Sequence, residues 1–178
     1  KGLQYMHKFR IVHGDIKPSN VLVSHRYESQ ISDFTLTTFE NKGNEIAFGT
    51  LFWRSPECLL MQSCGTPSDV WSFGVMILDC LYGCSYMKDI MLGKDNADMM
   101  SKLVILINPP PTEWSKTHLH DKEQLLDPCN DCDHVRQNMS DCKIQVTLSD
   151  NERWIVQDLI SKVLIWEEDL RPTIEEVM

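Results

Sequence analysis

A chain of 178 residues with 42% apolar and 24% charged side chains is long enough for one domain with a real core. Its net charge of -9 and pI of about 5.0 speak against nucleic acid as a primary partner, because phosphate binding needs a basic face. The same charge suits a basic peptide or protein partner, and no apolar run approaches the roughly 20 residues that span a bilayer, so no membrane association is expected.

The opening Lys1-Gly2-Leu3-Gln4-Tyr5 holds neither a signal peptide nor an initiator Met, so the chain is expected to start inside something longer or to be processed. Residues 1 to about 7 read as the end of a helix, with Leu3 and Met6 on one side. Ile11 to Val12 and Val21 to Val23 are short β-branched runs on either side of a polar loop, and Ile31 to Phe34 is a further strand candidate. Thr37 to Gly49 is polar and contains glycine, the pattern of a mobile loop.

The strongest helix runs from about Pro67 to Tyr82. Thr66 is its candidate N-cap, Pro67 lies in its first turn, and Gly83 stops it. Its apolar residues run almost all the way round, which predicts a central, buried helix. A second helix covers about Asp98 to Ile107 and ends at Asn108-Pro109-Pro110-Pro111, because proline lacks the donor and clashes with the preceding turn. Thr112 to Thr147 reads as polar and irregular. A helix returns at Asn151 to Ile165, with a capping-box pattern at Ser149 and Glu152 and an apolar face of Ile155, Leu159, Ile160, Val163 and Leu164. A last short helix starts near Pro172.

The seven cysteines are odd in number and lack framework spacing, which favours free thiols, a reducing compartment and an intracellular location, cytoplasmic or nuclear. Cys129, Cys132, His134 and Cys142 could be read as a zinc site, weighed against an irregular acidic loop with free thiols. The numerous methionines, among them Met61, Met76, Met87, Met91, Met99 and Met100, read as core filling. Trp114, Trp154 and Trp166 read as packing anchors.

The chemistry concentrates in Ile11-Val12-His13-Gly14-Asp15-Ile16-Lys17-Pro18-Ser19-Asn20-Val21-Leu22-Val23. Phosphoryl transfer to a hydroxyl needs a carboxylate to accept the proton, a cation to offset charge on the phosphate, and an amide oxygen to hold a metal. This loop resembles the catalytic loop of eukaryotic-type Ser/Thr protein kinases, H-R-D-L-x-x-x-N, with lysine two residues after the aspartate. The resemblance implies Asp15 as catalytic base, Lys17 as a contact to the ATP γ-phosphate, Asn20 as a Mg²⁺ ligand and His13 as a structural residue under the loop.

Three later segments continue the resemblance in the family's order. Ile31-Ser32-Asp33-Phe34-Thr35 resembles the D-F-G element, which implies Asp33 as a second Mg²⁺ ligand between the ATP phosphates and Phe34 as a packing residue under a helix of the other lobe. Gly49-Thr50-Leu51-Phe52-Trp53-Arg54-Ser55-Pro56-Glu57 resembles the end of the activation segment, with Ser55-Pro56-Glu57 in place of A-P-E. It implies that Thr50 bonds Asp15 and Lys17, and that Glu57 pairs with Arg171 of Leu170-Arg171-Pro172-Thr173. Ser68-Asp69-Val70-Trp71-Ser72-Phe73-Gly74 resembles the start of the central helix, where Asp69 would accept N–H bonds from the catalytic loop.

The run from Thr50 to Leu60 looks most like the cyclin-dependent and MAP-kinase branch, in which an arginine at the place of Arg54 helps favour proline after the target residue. The implied fold is α+β: a mainly helical large lobe, residues 1–178, with short β-hairpins carrying the catalytic and metal-binding loops. The implied cofactors are ATP and Mg²⁺, and the implied partners are a protein substrate and, in some such enzymes, a regulatory protein subunit. No G-x-G-x-x-G loop, V-A-I-K lysine or partner glutamate helix is present; in a full kinase they would precede Lys1, so the chain is expected to be either a fragment of such a kinase or a truncated gene product, and by itself to have little or no activity.

Two substitutions depart from the pattern. Gly14 stands where the family has the arginine that receives an activation-loop phosphate, and Thr35 stands where D-F-G has its flexible glycine. They leave a rival reading, a catalytically inactive pseudokinase or docking module, beside that of a Ser/Thr kinase. A zinc-binding structural protein is a third.

Overall fold

The computed structural model describes residues 1–40, 49–61, 64–82, 95–107, 109–119 and 147–177. Among them α-helices dominate, and the strands form two small antiparallel pairs. Helix α1 (Gly2–Lys8) leads into β1 (Ile11–Val12). A single 3₁₀ turn (Pro18–Asn20) then precedes β2 (Val21–Val23), which pairs with β3 (Ser29–Ile31) in the register Val21 opposite Ile31. Strand β4 (Thr38–Phe39) returns to pair with β1, Ile11 opposite Phe39 and Val12 opposite Thr38.

Strand β3 is shifted from the expected Ile31–Phe34. The Ser32 N–H and hydroxyl both donate to the Asn20 carbonyl, and Asp33 has φ of +62°, which an extended strand does not allow. The expected loop from Thr37 contains β4, and residues 41–48 lie outside the described residues.

After a 3₁₀ turn at Leu51–Trp53 come α2 (Pro56–Leu59) and α3 (Thr66–Tyr82). Thr66 opens α3 rather than capping it: its N–H and hydroxyl both go to Glu40. Gly83, the expected stop, lies outside the described residues. Helix α3 is central as expected but not buried all round. Val70, Trp71, Gly74 and Val75 are buried, Phe73, Met76, Ile77 and Leu78 are half-buried, and Cys80 is exposed. The buried face adds Val70, Trp71 and Val75 to a core that also holds Phe52, Trp53, Leu59 and residues of the following helices. Each such side chain removed from water contributes about 1.5–3 kcal/mol.

Helix α4 (Asn96–Ile107) starts two residues earlier than expected because Asp95 Oδ1 accepts the Asp98 N–H at 2.9 Å. It buries Met99, Met100 and Leu103. Helix α5 (Thr112–His118) corrects the reading of this stretch as irregular. Trp114 is its one buried residue, so it presents no apolar period, and its ring packs 5.1 Å from Trp166. Helix α6 (Asp150–Val163) has the expected capping box between Ser149 and Glu152. It ends two residues early, where Leu164 turns to ψ of 63°. Helix α3 packs on α6 across Gly74, whose Cβ, were one present, would stand 2.5 Å from Val163 Cγ2. A 3₁₀ turn (Glu168–Leu170) and the short α7 (Ile174–Val177) complete the described chain.

Several side-chain expectations need correction. Trp114 and Trp166 are packing anchors, but Trp154 is 64% exposed. Met99 and Met100 fill the core, whereas Met61 is exposed, and Met87 and Met91 lie outside the described residues. The expectation of free thiols fails at Cys58 and Cys64, which form a disulfide with Cα atoms 5.6 Å apart. The zinc candidates Cys129, Cys132, His134 and Cys142 lie outside the described residues. No helix among the described residues is long and apolar enough to cross a membrane.

Candidate active site

The loop between β1 and β2 is held from below by one carboxylate. Asp69, in the first turn of α3, accepts the His13 N–H at 2.7 Å on Oδ2 and the Gly14 N–H at 2.9 Å on Oδ1. Its Oδ2 also accepts from His7 Nε2 of α1 at 2.9 Å, a partner that no sequence signal announced. Asp69 is 1% exposed, so these donors replace the water it has lost.

His13 is wholly buried. Its Nε2 lies 3.1 Å from the Ser32 carbonyl, which can only accept, while Nδ1 accepts the Asp15 N–H at 3.3 Å. The ring proton therefore sits on Nε2, and the imidazole ties the loop to the segment that carries Asp33. Phe34 packs edge-on against the same ring with centroids 5.5 Å apart and is itself 55% exposed.

Gly14 has φ of +81°, and a Cβ there would meet the Leu36 carbonyl oxygen at 2.9 Å. A glycine takes this conformation without the cost that an L side chain incurs.

Above this base, Asp15, Lys17, Asn20 and Thr50 converge. Asp15 Oδ1 accepts both the N–H and the hydroxyl of Thr50 at 2.8 Å. Asp15 Oδ2 faces Lys17 Nζ at 2.6 Å and Asn20 Nδ2 at 3.1 Å. Lys17 Nζ also donates to Thr50 Oγ1 at 2.6 Å. Asn20 Nδ2 donates a further bond to the Asp15 carbonyl at 2.8 Å. Thr50 thus clamps a segment 35 residues distant in sequence onto the catalytic-type loop.

Burial pushes the Asp15 carboxyl upward, but Lys17 and the two bonds from Thr50 outweigh it and hold its pKa below the usual value. The group is therefore ionised at neutral pH, a carboxylate ready to accept a hydroxyl proton.

Asp33 stands in the left-handed turn after β3. Its Oδ1 accepts from the Thr35 hydroxyl and, at 3.3 Å, from the Thr35 N–H. These bonds hold its pKa below the usual value. The Thr35 hydroxyl contact exists only because threonine replaces glycine there, and its importance to Asp33 was not read from the sequence. Asn20 uses its Nδ2 on Asp15, so its amide oxygen is the atom that could hold a cation. An amide oxygen and an ionised carboxylate make the hard-oxygen donor set that Mg²⁺ prefers, so the residues present fit that ion.

Farther from the loop, Glu57 and Arg171 form a bidentate pair at 2.7 and 2.8 Å, each at most 6% exposed. Ser68 donates to Glu57 Oε1 at 2.8 Å, and Arg171 also donates to the carbonyls of Ile165 and Trp166. The guanidinium lies 5.0 Å over the Trp71 ring. Arg54 donates to the Gly49 carbonyl at 2.6 Å and to Asn96 Oδ1 at 2.9 Å, so it braces the turn that presents Thr50.

The residues singled out in the sequence thus fall into three groups: Asp15, Lys17, Asn20 and Thr50 around one carboxylate, His13 and Asp69 beneath them, and the Glu57–Arg171 pair farther away. Asp33 stands nearby, close enough for the charges of Asp15 and Lys17 to act on it.

The chain is similar in sequence to known proteins. The family described as "Protein kinase domain" matches residues 1–178. Mitogen-activated protein kinase kinase 1c of Physcomitrium patens is 35% identical over 119 residues, 65% of this chain and 34% of that protein. Mitogen-activated protein kinase HOG1 of Cochliobolus heterostrophus is 32% identical over 118 residues, 66% of this chain and 32% of that protein. Dual specificity tyrosine-phosphorylation-regulated kinase 3 of Homo sapiens is 32% identical over 113 residues, 62% of this chain and 18% of that protein. The chain therefore spans about a third or less of the length of these relatives. With the whole chain matched and the order of its motifs kept, it belongs to the protein kinase domain family, of the eukaryotic Ser/Thr type.

Proposed function

We propose that the protein containing this chain transfers the γ-phosphoryl group of ATP to serine or threonine hydroxyls of a protein substrate, and that residues 1–178 are the C-terminal lobe of its kinase domain. The observation that carries the reading is the convergence on Asp15 of Lys17, Asn20 and Thr50. A structural ion pair needs no such set, whereas phosphoryl transfer uses a base, a cation and an amide ligand together.

Asp15 accepts the proton of the substrate hydroxyl as its oxygen bonds to the γ-phosphorus and the bond to the β-phosphate oxygen breaks, releasing ADP. Lys17 offsets the negative charge on the phosphoryl oxygens. Thr50 fixes the Asp15 carboxylate through two bonds and keeps the Lys17 ammonium within reach. Asn20 and Asp33 would hold Mg²⁺, which supplies charge neutralisation across the phosphate oxygens when bound. His13 and Asp69 fix the backbone from which Asp15 projects.

The rival reading, a binding module without transfer, is favoured by the Thr35 hydroxyl on Asp33, which engages one oxygen of the metal-binding carboxylate.

The test is a Mg²⁺–ATP transfer assay on the native gene product with a panel of basic protein substrates, followed by phosphoamino-acid analysis. Transfer to serine and threonine is expected, and Asp15→Asn should lower it by about 10³-fold or more with the far-ultraviolet spectrum unchanged. Unaltered transfer by that variant refutes the assigned mechanism, and no transfer by the native protein favours the binding module.

A further inference from the structure

Glu40 is the last described residue of the stretch that follows Asp33, and its carboxylate joins three parts of the fold. Its Oε2 accepts from Arg10 Nη1 at 2.9 Å. Its Oε1 accepts the N–H and the hydroxyl of Thr66, both at 2.9 Å. Its own N–H donates to the Arg10 carbonyl at 2.9 Å. Arg10 is the residue before β1, held at φ of +53°, a conformation that persists in an arginine only when its surroundings impose it. Thr66 is the first residue of α3, three before the Asp69 that grips His13 and Gly14. Strand β4, just before Glu40, pairs with β1, which runs directly into His13.

We propose that Glu40 is a positioning residue for the phosphoryl-transfer site, a permanent carboxylate that anchors the stretch after Asp33 so that Asp15 is set without a phosphate being added there. This rests on the kinase reading above. The resemblance puts a phosphate-receiving arginine at position 14, where this chain has a glycine with no side chain to receive anything. The anchoring charge is instead encoded at Glu40, which Thr66 holds through two bonds. Burial pushes the Glu40 carboxyl upward, but Thr66 and Arg10 together outweigh it, so the anchor is charged at neutral pH.

A plain surface ion pair is the competing account, since the Arg10 side chain is 74% exposed and such pairs contribute little. The Thr66 bonds separate the two. Glu40 is only 19% exposed and holds the end of α3 whether or not Arg10 is present. An anchor therefore predicts a large effect of removing Glu40 and a small effect of removing Arg10.

The experiment compares the native gene product, treated with phosphatase, with Glu40→Ala, Glu40→Gln and Arg10→Ala, reading kcat, KM for ATP and amide hydrogen exchange at His13 and Gly14. Phosphatase treatment should leave wild-type kcat within about twofold, whereas Glu40→Ala should lower kcat about tenfold with KM within about twofold. The same variant should speed exchange of the His13 and Gly14 amides about tenfold or more, because Asp69 is no longer held in place. Glu40→Gln keeps an acceptor for the Thr66 N–H and should recover most of the protection, and Arg10→Ala should change little. Loss of wild-type activity on dephosphorylation overturns the proposal, as does Glu40→Ala with kcat and exchange both unchanged. A lower melting temperature with unchanged kcat also overturns it. Should the wild type transfer no phosphate, the kinase reading fails by itself, and exchange at His13 and Gly14 decides the anchor. Should Glu40→Ala not fold, Glu40→Gln against Arg10→Ala decides: exchange faster in Glu40→Gln than in Arg10→Ala sustains the anchor, and exchange as fast or faster in Arg10→Ala overturns it.

Discussion

Glu57 and Arg171, 114 residues apart in sequence, meet in the interior through two bonds of 2.7 and 2.8 Å. The pair joins α2, which follows the Thr50 segment, to the turn before α7, and Ser68 of α3 completes it. Removing one partner leaves the other charged and unpaired away from water. Arg171→Ala and Glu57→Ala should therefore each cost about 3–5 kcal/mol, read from urea unfolding of the native product.

The same pair predicts a pH dependence. Burial pushes the Glu57 carboxyl upward, but the Arg171 charge and bonds outweigh it, so its pKa is lower in the fold than in the unfolded chain. Its contribution is complete above the ordinary glutamate value of about 4.3 and is lost as pH falls through the lower folded value. Glu57→Gln should flatten that acid limb of the stability curve. A limb as steep in Glu57→Gln as in the wild type would show that other carboxylates govern it.

Asp69 is the acceptor for the N–H groups of both His13 and Gly14. Asp69→Asn has one oxygen instead of two, so at least one of these donors loses its acceptor. The expected cost is about 1–3 kcal/mol in urea unfolding, with faster exchange of one of the two amides.

Gly14→Ala tests the backbone at the centre of the site. A φ of +81° costs an L residue about 1–2 kcal/mol, and the added Cβ would press on the Leu36 carbonyl at 2.9 Å. The variant should be destabilised by about that amount or more. An unchanged or raised melting temperature would show that the left-handed conformation is not required.

Gly74→Ala tests the closest approach of α3 to α6. The new methyl would stand 2.5 Å from Val163 Cγ2 and 3.0 Å from Leu164 Cδ2, too near for either to stay in place. Overpacking of this kind costs about 1–3 kcal/mol, and Gly74→Ser should cost at least as much. In an exposed helix, glycine to alanine would stabilise, so the sign of the change reports the contact.

Local chemistry made much of this legible in advance. The capping box at Ser149 and Glu152 and the proline run after Ile107 act within a few residues, so the helices they bound could be placed to within about two residues. The short strands around the His13–Asn20 loop follow from β-branched runs beside polar residues. Helix α5 was missed because Trp114 alone is buried, and one residue makes no period. An aromatic side chain does not tell which helix face meets a neighbour, so the exposure of Trp154 is not legible in the sequence.

What the sequence determined by itself was the inventory and order of the candidate site and supporting residues: Asp15, Lys17 and Asn20 in one loop, Asp33 after β3, Thr50 and Glu57 farther on, Arg171 near the end. Spacing within a loop is encoded in a few residues, so these groups could be named without a fold. Only the tertiary structure decided that His7 would share Asp69 and that Glu40 would take hold of both Arg10 and Thr66. Those contacts join segments far apart in the chain. Their geometry is set by the packing of α1, β1, β4 and α3, and a linear pattern carries no record of which distant donor will fill a given carboxylate.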